Sequence, residues 1–447
     1  MNRRGEPTLV EQAQAVLQRN WTGRFTKPSP RLYPYQWSWD SAYIAIGYAH
    51  YDLERAQKEL RTLFAGQWRN GLLPHIIFNF SRGPRVYFPG PDFWQTRRSP
   101  HAPKRRRTSG IVQPPIHATA VLRVYQSAND GEQVRPFLAE IFPKLKAWHE
   151  YLYRERDPYQ EGLVYIRHPW ESGQDNSPIW DNALARMELK SEQIPAYRRV
   201  DTQTVDAAER PTDSEYDRYI YLVRMFSERN YDEAAIWPDC PFLVQDVVFN
   251  TLLCQANRDL AEIAHILGED GRLFIEWADQ TGYAINQKLW SKTDRIYYDY
   301  DLNSKELITE PAVAGFIPLF AHIPDQTRAQ NMYGHLNSDS FWKMGDSGYP
   351  VPSYDKHAPK YLPNRYWRGP VWMNMDWLLA QGLEHYGYQA YADALWHTIV
   401  ELPKHHGFFE YFDPRTGTGY GAYDFSWTAA LLIDTLERKP HILAEIA

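Results

Sequence analysis

Two short stretches of this chain set carboxylic acids among aromatic rings and turn-forming residues. The first is Trp170-Glu171-Ser172-Gly173-Gln174-Asp175-Asn176-Ser177-Pro178-Ile179-Trp180-Asp181. Gly, Ser, Asn and Pro keep such a backbone irregular, so Asp175 is not one position on a regular solvated helix face. Rings beside a carboxyl group lower the local dielectric and raise its pKa, as a general acid working near neutral pH requires. The alternative is that Asp175 or Asp181 caps the helix that follows. The second stretch is Gly407-Phe408-Phe409-Glu410-Tyr411-Phe412-Asp413-Pro414-Arg415-Thr416-Gly417. On a short strand Glu410 faces one side while its aromatic neighbours hold the other; the alternative is a buried glutamate paired with an arginine. Two carboxylates in separate aromatic stretches are the equipment of glycoside hydrolysis. One protonates the leaving oxygen; the other activates water or attacks the sugar carbon.

Other segments supply surfaces on which a sugar ring can stack. Tyr33-Pro34-Tyr35-Gln36-Trp37-Ser38-Trp39-Asp40 joins rings to an acid that can bind hydroxyls, and Tyr366-Trp367-Arg368-Gly369-Pro370-Val371-Trp372 does the same at a helix entrance. Trp68 to His75 and Tyr87 to Pro91 are loops of similar make-up. The chain carries 17 Trp, 31 Tyr and 19 Phe, 15% of its residues. That exceeds what a core needs, and rigid, half-exposed rings are how proteins grip flat, weakly polar ligands. Metal and nucleotide chemistry fare worse. Asp299, Asp301, Asn303 and Glu310 fit calcium-loop spacing, but Ser304 stands where that loop needs glycine. Gly417-Thr418-Gly419-Tyr420-Gly421 lacks the strand-and-helix context of a nucleotide loop. No metal site and no cofactor is expected.

These stretches need a scaffold, and the sequence predicts a helical one. Thr8 and Glu11 form a capping box ahead of Leu9, Ala13, Val16 and Leu17. Helical spacing returns at 53–64, after Gln113-Pro114-Pro115, and at 144–156, 215–229, 242–267, 272–290, 370–386, 389–402 and 426–437. Strands are expected only at 163–167, 295–300 and 408–412, with no βαβ alternation. About a dozen helices without a flexible linker suggest one all-α domain over 1–447, with loop insertions at about 76–112 and 160–214. A closed (α/α)6 barrel fits that number; an open helical array is the competitor. The polar interval 190–214 is long enough for a functional loop.

Composition removes several function classes. The 447 residues carry 49 Lys+Arg against 55 Asp+Glu, a net charge of −6, which argues against nucleic acid as partner. The basic run Arg97, Arg98, Lys104, Arg105, Arg106 and Arg107 reads as a solvated surface loop. Two cysteines, Cys240 and Cys254, cannot build a disulfide framework. With no signal-like start and no long apolar run, a cytoplasmic protein away from membranes is expected. A small carbohydrate is the expected partner; a homo-oligomer is compatible with the sequence.

The segments YPYQWSWDSAY, QWRNGLLPHI, YFPGP, SGIVQPPIHA, HPWESGQDNSPIWD, RPTDSEYDRY, YWRGPVW, FFEYFDPRTG and SWTAA occur in the order found in glycoside hydrolase family 63. The chain resembles that family's short bacterial branch, which contains mannosylglycerate and glucosylglycerate hydrolases. The resemblance implies an (α/α)6 barrel and cleavage of an α-glycoside with inversion, Asp175 matching the general acid and Glu410 the general base. It further implies that Tyr33, Trp37, Trp39, Asp40, Gln113, Trp170, Trp367 and Trp372 hold the released sugar. Tyr87, Arg210 and Tyr216 match positions around a glycerate leaving group, and Tyr366 joins the substrate-binding set through its motif. One departure stands out: the branch carries glutamine before the final Ser-Trp, where this chain has Phe425.

Overall fold

The computed structural model describes residues 7–79 and 86–445. Most of the charged start and residues 80–85 of the expected 76–112 insertion therefore lie outside the described residues. Twelve α-helices of ten residues or more are found among those described: α1 Leu9–Asn20, α2 Ser38–Ala49, α3 Leu53–Phe64, α4 His117–Gln126, α5 Gly131–Arg156, α6 Asp213–Glu228, α7 Val247–Leu267, α8 Arg272–Ala284, α9 Gln326–Leu336, α10 Met373–His385, α11 Gln389–His406 and α12 Ser426–Arg438. A short 3₁₀ helix, Val313–Leu319, completes the set.

Contacts between these elements close a ring. α2 packs on α4, α4 on α7, α7 on the 3₁₀ helix, the 3₁₀ helix on α10, α10 on α12, and α12 back on α2. Outside it, α1 leans on α12, α3 on α2, α5 on α4 and α7, α8 on α7, α9 on the 3₁₀ helix, and α11 on α10. Along the chain, outer and inner elements alternate, with α6 as an excursion between the third pair. This is a closed (α/α)6 barrel, so the open array is excluded. Burial explains the sorting. All twelve residues of α2 are buried, whereas α3 buries only one stripe, Ala56, Glu59, Leu60, Leu63 and Phe64. A helix apolar all round goes inside; an amphipathic one covers it.

Several boundaries differ from expectation for physical reasons. α5 starts at Gly131, capped by Asp130, and runs through Pro136 and Pro143. Burial of Val134, Phe137, Leu138 and Ile141 outweighs the helix-breaking tendency of proline. The helix expected from 242 begins at Val247, because Val244–Gln245 pairs with Tyr300–Asp301 as a strand. At 163–167 only an isolated bridge, Ile166 to Val244, remains. The strand Phe409–Phe412 has an antiparallel partner, Gly419–Tyr423, which the sequence did not announce. The capping box at Thr8 and Glu11 is present.

Candidate active site

The chain enters α2, α4, α10 and α12 at one end of the barrel, and those entrances form part of a cup. Tyr33, Trp37, Trp39 and Asp40 line it ahead of and within the first turn of α2, Gln113 ahead of α4, Tyr366, Trp367 and Trp372 ahead of α10, and Phe425 and Trp427 at the start of α12. Tyr87, Trp170, Asp175, Arg210, Tyr216 and Glu410 complete the sequence-predicted set, so all of it faces a single cavity. The rings brace one another. Trp367 stacks on Trp372 at 3.9 Å, Trp372 on Tyr411 at 4.8 Å, and Trp39 meets Trp427 edge-on at 5.3 Å. The indole N–H groups of Trp367 and Trp427 are buried without a protein acceptor.

Asp175 sits on an irregular turn held rigidly from beneath. Gly173 adopts φ +71°, and a Cβ there would stand 2.5 Å from the Trp39 ring, so only glycine lets this turn approach α2 so closely. The Asn176 N–H donates to the Tyr219 hydroxyl (3.2 Å) and the Trp180 indole to the Gln174 carbonyl (2.9 Å). Below the turn lies a buried four-charge cluster. Glu171 accepts a fork from Arg156 (3.1 and 3.0 Å) and the N–H groups of Arg167 and Val112. Glu233 pairs with Arg156 at 3.0 Å and Arg167 at 3.2 Å. Loss of water around Asp175 pushes its pKa up to about 6, against the opposing pull of Arg210.

Glu410 is gripped at both oxygens. The Tyr33 hydroxyl donates to Oε1 at 2.8 Å and the Ala422 N–H to Oε2 at 3.0 Å. That second contact depends on a bulge between Tyr420 and Tyr423, where the strand register shifts. Gly421 within it has φ +70°, and a Cβ would lie 2.6 Å from Glu410 Oε2. Burial raises Glu410 to about 7, again opposed by Arg210. Asp40 is held well above the usual carboxylate range by burial and by the Glu410 charge.

Arg210 lies near both acids. Its Nη1 donates to the Tyr33 hydroxyl at 3.2 Å, its Nε to Asp201 at 3.2 Å, and its guanidinium rests 4.6 Å over the Tyr366 ring. Asp201 is also forked by Arg199 at 3.1 and 2.7 Å. Asp201 lines the cavity but was missed in the sequence, because a carboxylate between two arginines of a polar loop has no periodic signature. His168 lies against its near neighbour Trp170, and His75 approaches the same ring from a distant segment, a meeting that spacing does not foretell. Burial depresses both histidines, His168 to about 3, so they stay neutral. The calcium-like spacing is dispersed: Asp299 accepts from the Val247 N–H, Asp301 pairs with Arg186, and Glu310 with Lys360.

Comparison with known proteins adds the lineage. Residues 33–428 match the model of the mannosylglycerate hydrolase MGH1-like glycoside hydrolase domain. The chain belongs to this glycoside hydrolase family. Among similar members, the mannosylglycerate hydrolase of Rubrobacter radiotolerans is 54% identical over 428 residues, spanning 96% of each chain. The glucosylglycerate hydrolase of Mycolicibacterium hassiacum is 36% identical, over 96% of this chain and 97% of that one. A crystal structure of the family 63 mannosylglycerate hydrolase from Thermus thermophilus in complex with Tris and D-glycerate superposes with a TM-score of 0.89 at 44% identity, covering 96% of this chain and 99% of that one. Like its relatives, this MGH1-like chain is a glycoside hydrolase. No helix among the described residues is long and apolar enough to cross a membrane.

Proposed function

We propose that this protein is an inverting α-glycosidase that hydrolyses glucosylglycerate or mannosylglycerate to the free sugar and glycerate. The observation that carries this is two raised carboxyl groups, Asp175 and Glu410, facing one cavity with an arginine acting on both. Asp175 donates its proton to the glycosidic oxygen as the bond breaks, and Glu410 takes a proton from water attacking the opposite face. Trp367 and Trp427 offer unpaired indole donors to sugar hydroxyls. Arg199 pairs with both Asp201 and Asp213, while Arg210 shares Asp201 and lines the cavity, where its guanidinium fork suits a substrate carboxylate. The buried free thiols Cys240 and Cys254 accord with a reducing cytoplasm.

The reactive form needs Asp175 protonated and Glu410 ionised. Burial holds Asp175 up at about 6 and Glu410 at about 7, so activity against pH is a narrow bell near those values. One observation favours a second reading, a neutral small α-glucoside: the apolar ring of Phe425 lines the cavity beside Tyr33. Proton NMR with glucosylglycerate, mannosylglycerate and a neutral α-glucoside decides. β-Sugar appearing first from a glycerate glycoside supports the proposal; α-sugar first rejects inversion. Turnover of the neutral glucoside alone selects the second reading.

A further inference from the structure

Two adjacent residues of the 190–212 loop and two adjacent residues of the hairpin form a closed circuit. In the loop, Glu209 Oε2 accepts the Gly421 N–H at 2.8 Å, and its neighbour Arg210 donates to the Tyr33 hydroxyl at 3.2 Å. In the hairpin, Gly421 is followed by Ala422, whose N–H holds Glu410, and Glu410 in turn accepts from Tyr33 at 2.8 Å. The bulge thus presents consecutive amides to two carboxylates, one from the loop and one at the cavity. Tyr411 approaches Glu209 from below at 3.4 Å, and Arg365 holds the Arg210 carbonyl at 3.3 Å.

We infer that Glu209 is a positioning residue: its bond to the Gly421 amide seats the loop so that Arg210 stands at Glu410. Glu209 does not line the cavity, so it acts through Arg210 and not on substrate. This inference rests on the assignment of Glu410 and Arg210 to the reaction. Without the latch Arg210 withdraws, and Glu410 keeps Tyr33, Tyr366, Tyr411, Asp40 and Asp175 as neighbours but loses its nearby cation.

The test compares Glu209→Ala and Glu209→Gln with the native enzyme. In Glu209→Ala, kcat/KM is expected to fall about tenfold, and the limb of the pH profile set by Glu410 to move up by about one unit, the scale on which a neighbouring opposite charge acts. Glu209→Gln keeps an oxygen for the Gly421 amide and is expected to restore both. A purely structural role would lower activity without moving the limb, and an unmoved limb overturns the inference. Amide hydrogen exchange across 205–212 and 418–424 gives a readout free of substrate. Faster exchange confined to those stretches in Glu209→Ala supports the latch, and unchanged exchange there overturns it. Absence of turnover by the native enzyme on every glycoside would count against the proposed function alone, since the exchange result still decides the latch.

Discussion

The cavity has two walls built by opposite means. One stands on the entrances of inner helices, where Trp39, Trp372 and Trp427 are buried and packed ring on ring. The other hangs from residues 200–216, a stretch of short turns leading into α6, and is held by charge: Arg199, Asp201, Arg210 and the Glu209 bond. Packing fixes shape at the first wall, because a displaced ring leaves a void that neighbours cannot fill. Ion pairs fix the second wall, and these respond to pH and to a charged ligand as packed rings do not. A rigid helix-borne wall suits a part of the substrate that never varies; a charge-held loop suits recognition of an ionic group.

Substitutions can separate the two. Where the walls meet, Asp175→Asn is expected to lower kcat by roughly 10³-fold, within the range for general acid catalysis, with native circular dichroism; turnover within tenfold of native would remove Asp175 from the chemistry. In the packed wall, Trp39→Ala should cost about 3–5 kcal/mol of stability in urea denaturation, together with activity. A well-folded Trp39→Ala protein that only binds poorly would erase the contrast. In the charged wall, Arg210→Ala should raise KM for a glycerate glycoside roughly thirtyfold, about 2 kcal/mol, while KM for a neutral glucoside is little affected.

The pH profile sharpens the same contrast. Arg210 lowers both Asp175 and Glu410, and a bound carboxylate neutralises it. Both groups should then titrate higher in the complex, so the kcat bell lies above the kcat/KM bell for an anionic substrate. For a neutral glycoside the two bells should coincide at these limbs. The smallest effect is expected at Phe425→Gln, which puts a hydrogen-bonding amide at the cavity wall. One added hydrogen bond is worth about 1 kcal/mol, so KM for glucosylglycerate should fall severalfold; a rise would place Phe425 outside the leaving-group contacts.

Local patterns were legible wherever they carried a local cause. The capping box at Thr8, the apolar stripe of α3 and the aromatic-acid motifs lie within single segments, and each is found where the sequence put it. Ring closure was legible only through the family resemblance, because it depends on α12 meeting α2 across nearly the whole chain. One of the six inner elements was not legible, a 3₁₀ helix of seven residues too short for a periodic signal. The glycine string at 417–421 looked featureless until its bulge was seen to offer two amides. Asp201 and His75 gained meaning only through partners far away in sequence.

The four buried charges under the Asp175 turn, two arginines and two glutamates, neutralise one another inside the fold. Losing any one strands an opposite charge away from water, at a cost of about 3–5 kcal/mol. Over generations such a quartet changes together or not at all. A descendant lineage can therefore alter what lines the cavity while the ground on which its acid stands stays fixed.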